Sequence, residues 1–289
     1  MSSKDNKELP LTEHLSELVY RLRVILFSLI LLSLVISLLP ANLLNPLFFD
    51  DKEEEYKPLV LLFMYKVKED ALNFNEEPMA TLAKVIGLNE SIKRDIKLIS
   101  PGIFDSLLTS FYMGILLGLL AASPIIGYEI YKFVEPALYP QERKLLCAFT
   151  AGFTILFLLG SLYAYKYIVP LTMLITIWIT LLTGALPVFS INSFYYTLFL
   201  VILVTGISFT FPIVIALLVK VELLTPSSLK NKWKYVILAI LVITAFITPD
   251  PTPLTMLLLS LPFLALYILS LILSKIIYNR KHASKALAR

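Results

Sequence analysis

Six long apolar runs separated by polar segments constrain this chain most strongly. They lie at Val24 to Leu39, Ile103 to Tyr131, Leu145 to Val169, Phe194 to Val219, Tyr235 to Thr248 and Leu254 to Ile277. A helix needs about 20 apolar residues to cross a bilayer, and fewer where the membrane is thin. The chain is 58% hydrophobic and 16% charged, which is far more apolar than a soluble domain. We therefore predict an all-α integral membrane protein with six transmembrane helices, in one domain covering residues 1–289.

The distribution of Lys and Arg predicts the orientation of these helices. With both termini in the cytoplasm, most of the 25 Lys and Arg residues fall in cytoplasmic segments, including the basic tail 275–289. The long first external loop, residues 40–102, is more acidic than basic, and long loops count less in the positive-inside rule. We predict a multi-pass protein of the cell membrane. Its loop 40–102 is expected to pack as a cap, with a surface helix at Met79 to Leu98, rather than to bind a ligand.

The fifth run is too short for an ordinary crossing. Tyr235 to Thr248 would extend about 21 Å at 1.5 Å per residue, against hydrocarbon about 30 Å thick. The proline-rich sequence TPDPTP at 248–253 then ends it. We predict short fifth and sixth helices beside a thinned bilayer.

Prolines and glycines predict the shape and packing of the bundle. Gly114 and Gly118 are one helical turn apart, which favours close packing of that helix face. Four prolines lie within or at the ends of other runs, which predicts kinked helices and a concave bundle: Pro124, Pro170, Pro212 and Pro262.

Residues 1–23 predict an amphipathic helix at the cytoplasmic membrane surface. Its leucines recur at helical spacing, while His14, Glu17 and Arg21 occupy the other face. Glu17 and Arg21 are four residues apart, so they could form an ordinary surface ion pair worth a few tenths of a kcal/mol. The sequence alone leaves open whether Glu17 is such a partner or part of a binding surface.

The stretch FVEPALYPQERK, residues 133–144, places Glu135 and Glu142 between two apolar runs on the predicted cytoplasmic side. Ionisable groups near hydrocarbon are costly and often mark functional sites. Each glutamate also has a structural explanation. Glu142 would favour the N-terminus of the third helix, and Glu135 would cap or solvate the end of the second.

Several functional classes are disfavoured by composition and motifs. One cysteine, Cys147, and two histidines provide neither a disulfide nor a metal-ligand cluster. We find no phosphate-binding loop, catalytic triad or nucleic-acid-binding stripe, so we predict no enzyme activity and no cofactor. A secondary transporter of a small solute is the alternative, but the halves show no internal repeat. An intramembrane hydrolase is weaker, because Ser161 and Ser208 have no histidine or acidic partner nearby in sequence.

Three segments resemble the TatC family, the six-span subunit of the twin-arginine protein translocase. They are HLSELVYRLR at 14–23, SPIIGYEIYKFVEPALYPQERK at 123–144 and GISFTFPI at 206–213, and the TPD turn at 248–250 agrees. Apart from the long first loop, the resemblance covers nearly the whole chain. It implies a receptor for twin-arginine signal peptides of folded proteins, driven by the proton-motive force. The implied partners are TatA/TatB-type single-span subunits, other copies of the chain and the lipid bilayer, with no nucleic acid.

The resemblance also implies roles for individual residues. Glu17 and Glu142 match the glutamates that form the family's recognition patch, and carboxylates suit the planar fork of a guanidinium. Phe133 matches an aromatic residue of that patch, with Arg21 and Glu135 as supporting members. Two further positions match family residues outside the membrane: Pro46 after the first span and Asp250 in the last external turn.

Three positions depart from the family pattern. Val19 stands where many members have an arginine, and Ile268 stands where a glutamate is common. Thr210 replaces a glutamate of the fourth span. Thr210 can still donate a hydrogen bond across helices, but it cannot carry charge.

Overall fold

A computed structural model describes residues 11–40, 58–74, 79–85, 96–137, 146–247 and 253–287, which are mostly helical. Two short strands, β1 (Lys97–Ile99) and β2 (Val188–Ser190), pair in parallel. The helices are α1 (Leu11–Leu38), α2 (Leu59–Ala71), α3 (Met79–Val85), α4 (Asp105–Val134), α5 (Leu146–Tyr163), α6 (Val169–Leu182), α7 (Ile191–Lys220), α8 (Pro226–Asn231), α9 (Trp233–Ile247) and α10 (Pro253–Leu287).

The all-α membrane class is confirmed. Five helical stretches in the described part of the chain are long and apolar enough to cross a membrane, and α9 is a shorter apolar helix. Six crossings with both termini inside remain a prediction. Prolines lie inside α4, α7 and α10 as expected, at Pro124, Pro212 and Pro262, whereas the concave shape stays a prediction.

Helix α7 is the centre of the bundle. It packs against α4, α5 and α10, while α1 packs along α4 and α9 packs on α10. Its buried residues include Leu198, Val201 and Ile202, whereas Tyr196, Ile207 and Phe211 lie on an exposed side. A helix that is apolar on all sides suits such a position. In hydrocarbon, close packing and polar contacts hold helices together, because burial from water adds little there.

The α1–α4 contact depends on small residues, as the glycine spacing predicts. Gly114 faces the side chain of Ser37, and Gly118 faces Ser33. A Cβ atom on Gly118 would lie 2.8 Å from the backbone nitrogen of Ser33, closer than real Cβ atoms come to backbone. The two helices can therefore approach this closely only because Gly118 has no side chain.

The first long loop does pack as a cap. Helix α2 buries Val60, Met64, Val67 and Ala71 and contacts α4 and α6. The Tyr195 hydroxyl donates a 2.8 Å hydrogen bond to the carbonyl of Met64, which ties α2 to the start of α7. The side of the membrane on which this cap lies remains a prediction.

The predicted surface helix at Met79 to Leu98 is wrong at its end. Helix α3 covers Met79–Val85, but Leu98 belongs to β1 and pairs with Phe189 of β2. That pairing partner lies far away in sequence, so local periodicity could not indicate a strand. Sequence reasoning also missed α2, which is the larger part of the cap.

Helix α1 is one continuous helix of 28 residues, about 42 Å at 1.5 Å per residue. The amphipathic segment and the first apolar run are therefore not separate helices. No glycine or proline lies between Leu11 and Leu38 to interrupt the backbone hydrogen bonds. The surface placement of residues 1–23 remains a prediction.

One predicted helix end is also corrected. The third apolar run does not end at Val169, because α5 continues through a π-helical turn, Ala164–Ile168, into α6 and reaches Leu182. Pro170 lies in the first turn of α6, where a proline is tolerated.

The prediction of two short final helices is half right. Helix α9 has 15 residues, about 22 Å at 1.5 Å per residue, which confirms the short fifth helix. Helix α10 has 35 residues, so the short sixth helix is wrong. The predicted tail from Lys275 contains neither proline nor glycine, and the helix continues through it to Leu287.

Candidate functional site

The centre of the candidate site is Arg21, which is held by two glutamates. Its Nε and Nη2 atoms donate to Glu17 Oε1 at 3.0 and 2.6 Å. Its Nη1 atom donates to Glu129 Oε2 on α4 at 2.9 Å. The i, i+4 pair between Glu17 and Arg21 is thus present, but it is part of a three-residue cluster that joins α1 to α4.

This cluster is partly buried. The side chains of Arg21, Glu17 and Glu129 are 18%, 23% and 11% exposed. Interactions between charges are stronger where water is partly excluded. The cluster therefore combines an accessible carboxylate, Glu17, with a more deeply placed one, Glu129.

Sequence reasoning missed Glu129, although it lies within the SPIIGYEIYK segment. Among the described residues, Glu129 is the one buried carboxylate. It lies in α4, two residues before Tyr131, where the second apolar run was predicted to end. An ionisable residue inside an apolar run requires a partner. Arg21, in the predicted cytoplasmic segment 1–23, was a candidate partner. That requirement was the signal that could have identified the pair.

The C-terminal end of α4 carries a second ion pair. Lys132 Nζ lies 2.6 Å from Glu135 Oε2, and the same ammonium lies 5.9 Å from the centre of the Tyr128 ring. Glu135 begins a 3₁₀ turn, Glu135–Ala137, so it lies at the helix end as predicted, and its supporting role stays a prediction. Phe133 lies between these residues and is partly exposed.

Aromatic packing fixes this end of α4 in the bundle. Tyr131 is fully buried, and its ring centre lies 5.6 Å from that of Phe149 on α5. Phe149 in turn stacks on Phe153, and Leu217 of α7 completes the buried cluster. Offset aromatic pairs of this kind contribute about 0.5–1.5 kcal/mol each beyond area burial. The cluster positions α4, and with it Glu129, against two other helices.

Thr210 uses its hydroxyl within its own helix. Its side chain is buried in α7, and the hydroxyl donates to the Ile207 carbonyl at 2.7 Å. Its role in contacting a partner stays a prediction. A threonine hydroxyl can reach the carbonyl three residues earlier in its own helix, and this local acceptor satisfies it.

Three predicted positions lie outside the described residues: Glu142, Pro46 and Asp250. The structure therefore brings together Glu17 and Arg21 and adds Glu129, while the pairing of Glu17 with Glu142 stays a prediction.

The described residues contain no cluster of His, Cys, Asp and Glu that could hold a metal ion. Ser161 is buried with no hydrogen-bond partner in this part of the chain, and Ser208 donates to the Val204 carbonyl of its own helix. Among the described side chains, neither serine contacts a histidine or a carboxylate.

Comparisons with known proteins identify the family. A family model described as "Sec-independent protein translocase protein (TatC)" matches residues 13–262. The Sec-independent protein translocase protein TatC of Aquifex aeolicus is 33% identical over 189 residues, which cover 65% of this chain and 78% of that protein. The Deinococcus radiodurans protein of the same name is 27% identical over 241 residues, 82% and 88% of the two chains.

The fold agrees with the sequence comparisons. A crystal structure of the twin arginine translocase receptor TatC superposes with a TM-score of 0.68 at 26% identity. The match covers 91% of this chain and 99% of that one. Because the family model spans most of the chain and the folds coincide over nearly their full lengths, this chain belongs to the TatC family of Sec-independent protein translocases.

Proposed function

We propose that this chain, a core subunit of a twin-arginine translocase, is the receptor for twin-arginine signal peptides. The peptide would bind at the cytoplasmic face that carries Glu17. Folded proteins bearing such peptides are the cargo. The observation that carries the proposal is that Glu17 already binds a guanidinium group, that of Arg21.

The charges of the cluster support binding of a further arginine. Two carboxylates share the guanidinium of Arg21, and Glu129 can hold it without Glu17. Arg21 keeps a second partner in Glu129, and it would stay bound there while a signal-peptide arginine pairs with Glu17. Glu142 is proposed to bind the other arginine of the pair. Phe133 would contact the peptide chain, with Glu135 supporting that end of α4.

The arginine requirement follows from side-chain geometry. A guanidinium is a planar fork with several donors in fixed directions, whereas an ammonium is a compact point charge. Arg21 uses three of its nitrogens at once on two carboxylates. A lysine in a signal peptide would reproduce the charge but not this set of hydrogen bonds, so it would bind more weakly.

Transport requires components that this chain does not supply. We propose that it works in the cell membrane with TatA/TatB-type single-span subunits and other copies of itself, driven by the proton-motive force. Both termini would lie in the cytoplasm, with the cap, Pro46 and Asp250 on the outer side. The short α9 marks a place where the bilayer would thin beside those partners.

Photo-crosslinking tests the receptor proposal. A twin-arginine signal peptide with a photoreactive group would be added to membranes containing the native chain, Glu17→Gln or Glu142→Gln. We expect strong labelling of the native chain and at least tenfold less labelling of each variant. A twin-lysine peptide should label the native chain as weakly.

Glu69→Gln is the matched control, because it removes one negative charge from an exposed position on α2. Its labelling should equal that of the native chain. Equal labelling of Glu17→Gln, Glu142→Gln and native chains, or no preference for arginine over lysine, would contradict the proposed recognition patch.

A further inference from the structure

A cavity of about 250 Å³ lies between α7, α9 and α10, and its lining does not include Glu17, Arg21 or Glu129. Phe211 and Ile243 line it and are 45% and 39% exposed, so the cavity is an open groove on the outer surface of the bundle. Ile240 and Phe263 form its buried inner wall. We call it the α9 groove.

The polar side chains that line the α9 groove already have acceptors. Ser208 donates to the Val204 carbonyl, and Ser270 donates to the Leu266 carbonyl, both within their own helices. Tyr267 donates to the Leu229 carbonyl at 2.8 Å. The groove thus presents an apolar surface, and these three hydroxyl groups need no hydrogen bond from a ligand. An alkyl chain fits that chemistry, whereas a polar solute would lose its hydrogen bonds to water.

One end of the α9 groove has strong positive charge. Leu229 and Val236 line the groove there, and the three lysines Lys230, Lys232 and Lys234 lie between them and are exposed. The ion pairs of the described residues involve Arg21 and Lys132 rather than these lysines. The bond from Tyr267 to Leu229 fixes this end of the groove to α10.

Aromatic residues place the same end at a membrane surface. Trp233 and Tyr235 are 48% and 74% exposed, and Lys234 lies 5.9 Å from the Trp233 ring centre. Exposed Trp and Tyr are typical of the boundary between lipid tails and headgroups. Helix α9 is only about 22 Å long at 1.5 Å per residue, which is shorter than the hydrocarbon core. Either the bilayer thins beside this helix, or a bound molecule compensates for the mismatch in length.

We infer that the α9 groove binds one anionic phospholipid. One acyl chain would lie between α7, α9 and α10, and the phosphate headgroup would contact the three lysines. The apolar groove selects an alkyl chain, and the lysines select negative charge. This inference does not depend on signal-peptide binding, and its test uses no peptide.

Lipid retention by the purified full-length chain tests the inference. The chain would be reconstituted with equal amounts of phosphatidylglycerol and phosphatidylcholine of identical acyl chains, and its retained lipids measured by native mass spectrometry. Each lysine near a bound anionic headgroup contributes about fivefold to affinity. We expect the native chain to enrich phosphatidylglycerol at least fivefold. The triple variant Lys230→Gln, Lys232→Gln, Lys234→Gln should show almost no enrichment.

A charge-matched control is available at the other end of the bundle. Lys68, Lys84 and Lys97 are also exposed, and changing all three to Gln removes the same charge. This control should keep the enrichment. Equal loss in both triple variants would show diffuse surface attraction and overturn the proposal, as would unchanged enrichment in the Lys230, Lys232 and Lys234 variant.

Filling the groove tests the acyl-chain part separately. Ile243→Trp places a larger side chain at the partly exposed rim, and we expect one fewer retained lipid per chain. Unchanged lipid retention together with altered self-association would assign the groove to a second transmembrane helix. That outcome, or unchanged retention and self-association, would overturn the proposal.

Discussion

Arg21 Nη1 lies 2.9 Å from Glu129 Oε2, which joins α1 to α4 across 108 residues of sequence. The same guanidinium binds Glu17 of its own helix. This geometry makes Arg21 both a link between two helices and a neighbour of the proposed peptide-binding carboxylate. Its two partners differ in burial, so their removal should have different effects.

We expect Glu129→Gln to lower the free energy of unfolding by about 2 kcal/mol, because it weakens a charged hydrogen bond in a nearly buried position. Glu17→Gln should cost less, since its side chain is 23% exposed. Thermal unfolding of the purified chain in detergent would measure both. Arg23→Gln on the same helix is the control and should be almost neutral. A larger loss for Glu17→Gln than for Glu129→Gln would contradict this ranking.

The α1–α4 contact predicts losses of stability of different size for two similar substitutions. Gly118→Ala should destabilise the chain by about 2 kcal/mol, because the new methyl group meets the backbone of Ser33. Gly114→Ala should cost less than about 1 kcal/mol, since it meets chiefly the Ser37 side chain, which can rotate. Unfolding in detergent compares them directly, and equal losses would argue against the close helix contact at Gly118.

The cap is attached to the bundle by a hydrogen bond from the Tyr165 hydroxyl to the Asp70 carboxylate. Tyr165→Phe leaves a partly buried carboxylate without this donor, so we expect a loss of about 1–3 kcal/mol and faster proteolysis of α2. Tyr167→Phe is the control, because its contact with the Tyr163 ring needs no hydroxyl. If α2 is cleaved at the same rate in Tyr165→Phe and Tyr167→Phe, the Tyr165 hydroxyl does not attach the cap to the bundle.

Orientation can be measured with single cysteines in a Cys147→Ser background, since Cys147 is the one native cysteine and is exposed. Lys68 lies in the cap, which contacts the start of α7, whereas Lys230 follows its end. A membrane-impermeant maleimide should label Lys68→Cys in intact cells. It should label Lys230→Cys only after permeabilisation, and the reverse pattern would invert the predicted topology.

The membrane class, the short α9 and the small-residue contact of α4 were predictable, because each follows from local spacing and length. The strand pairing of Leu98 with Phe189 was not, since it depends on two segments that lie far apart in sequence. The length of α10 was underestimated because polarity was taken as the end of the helix, although Arg280, Lys281 and Lys285 are good helix formers.

The candidate site was also predictable only in part. The pair Glu17 and Arg21 followed from helical spacing, but its third member, Glu129, depends on how α1 crosses α4. Thr210 could donate either across helices or within its own helix, and the structure shows that it donates to a carbonyl of its own helix. Patterns within one helix were therefore readable, whereas choices among competing partners required the packed structure.

The π-helical turn at Ala164–Ile168 changes how the long helix from α5 to α6 can be altered. Before the turn in sequence, α5 packs on α4 and α7. After the turn, α6 contacts the cap helices α2 and α3. One residue corresponds to about 100° of rotation in a helix with 3.6 residues per turn. A π turn holds one residue more than an α turn, so deleting one residue within it can restore an α turn and leave α6 facing the cap, whereas a deletion elsewhere in the helix would rotate α6 away from it. This five-residue segment is thus the place where the long helix can lose one residue and keep the alignment of cap and bundle.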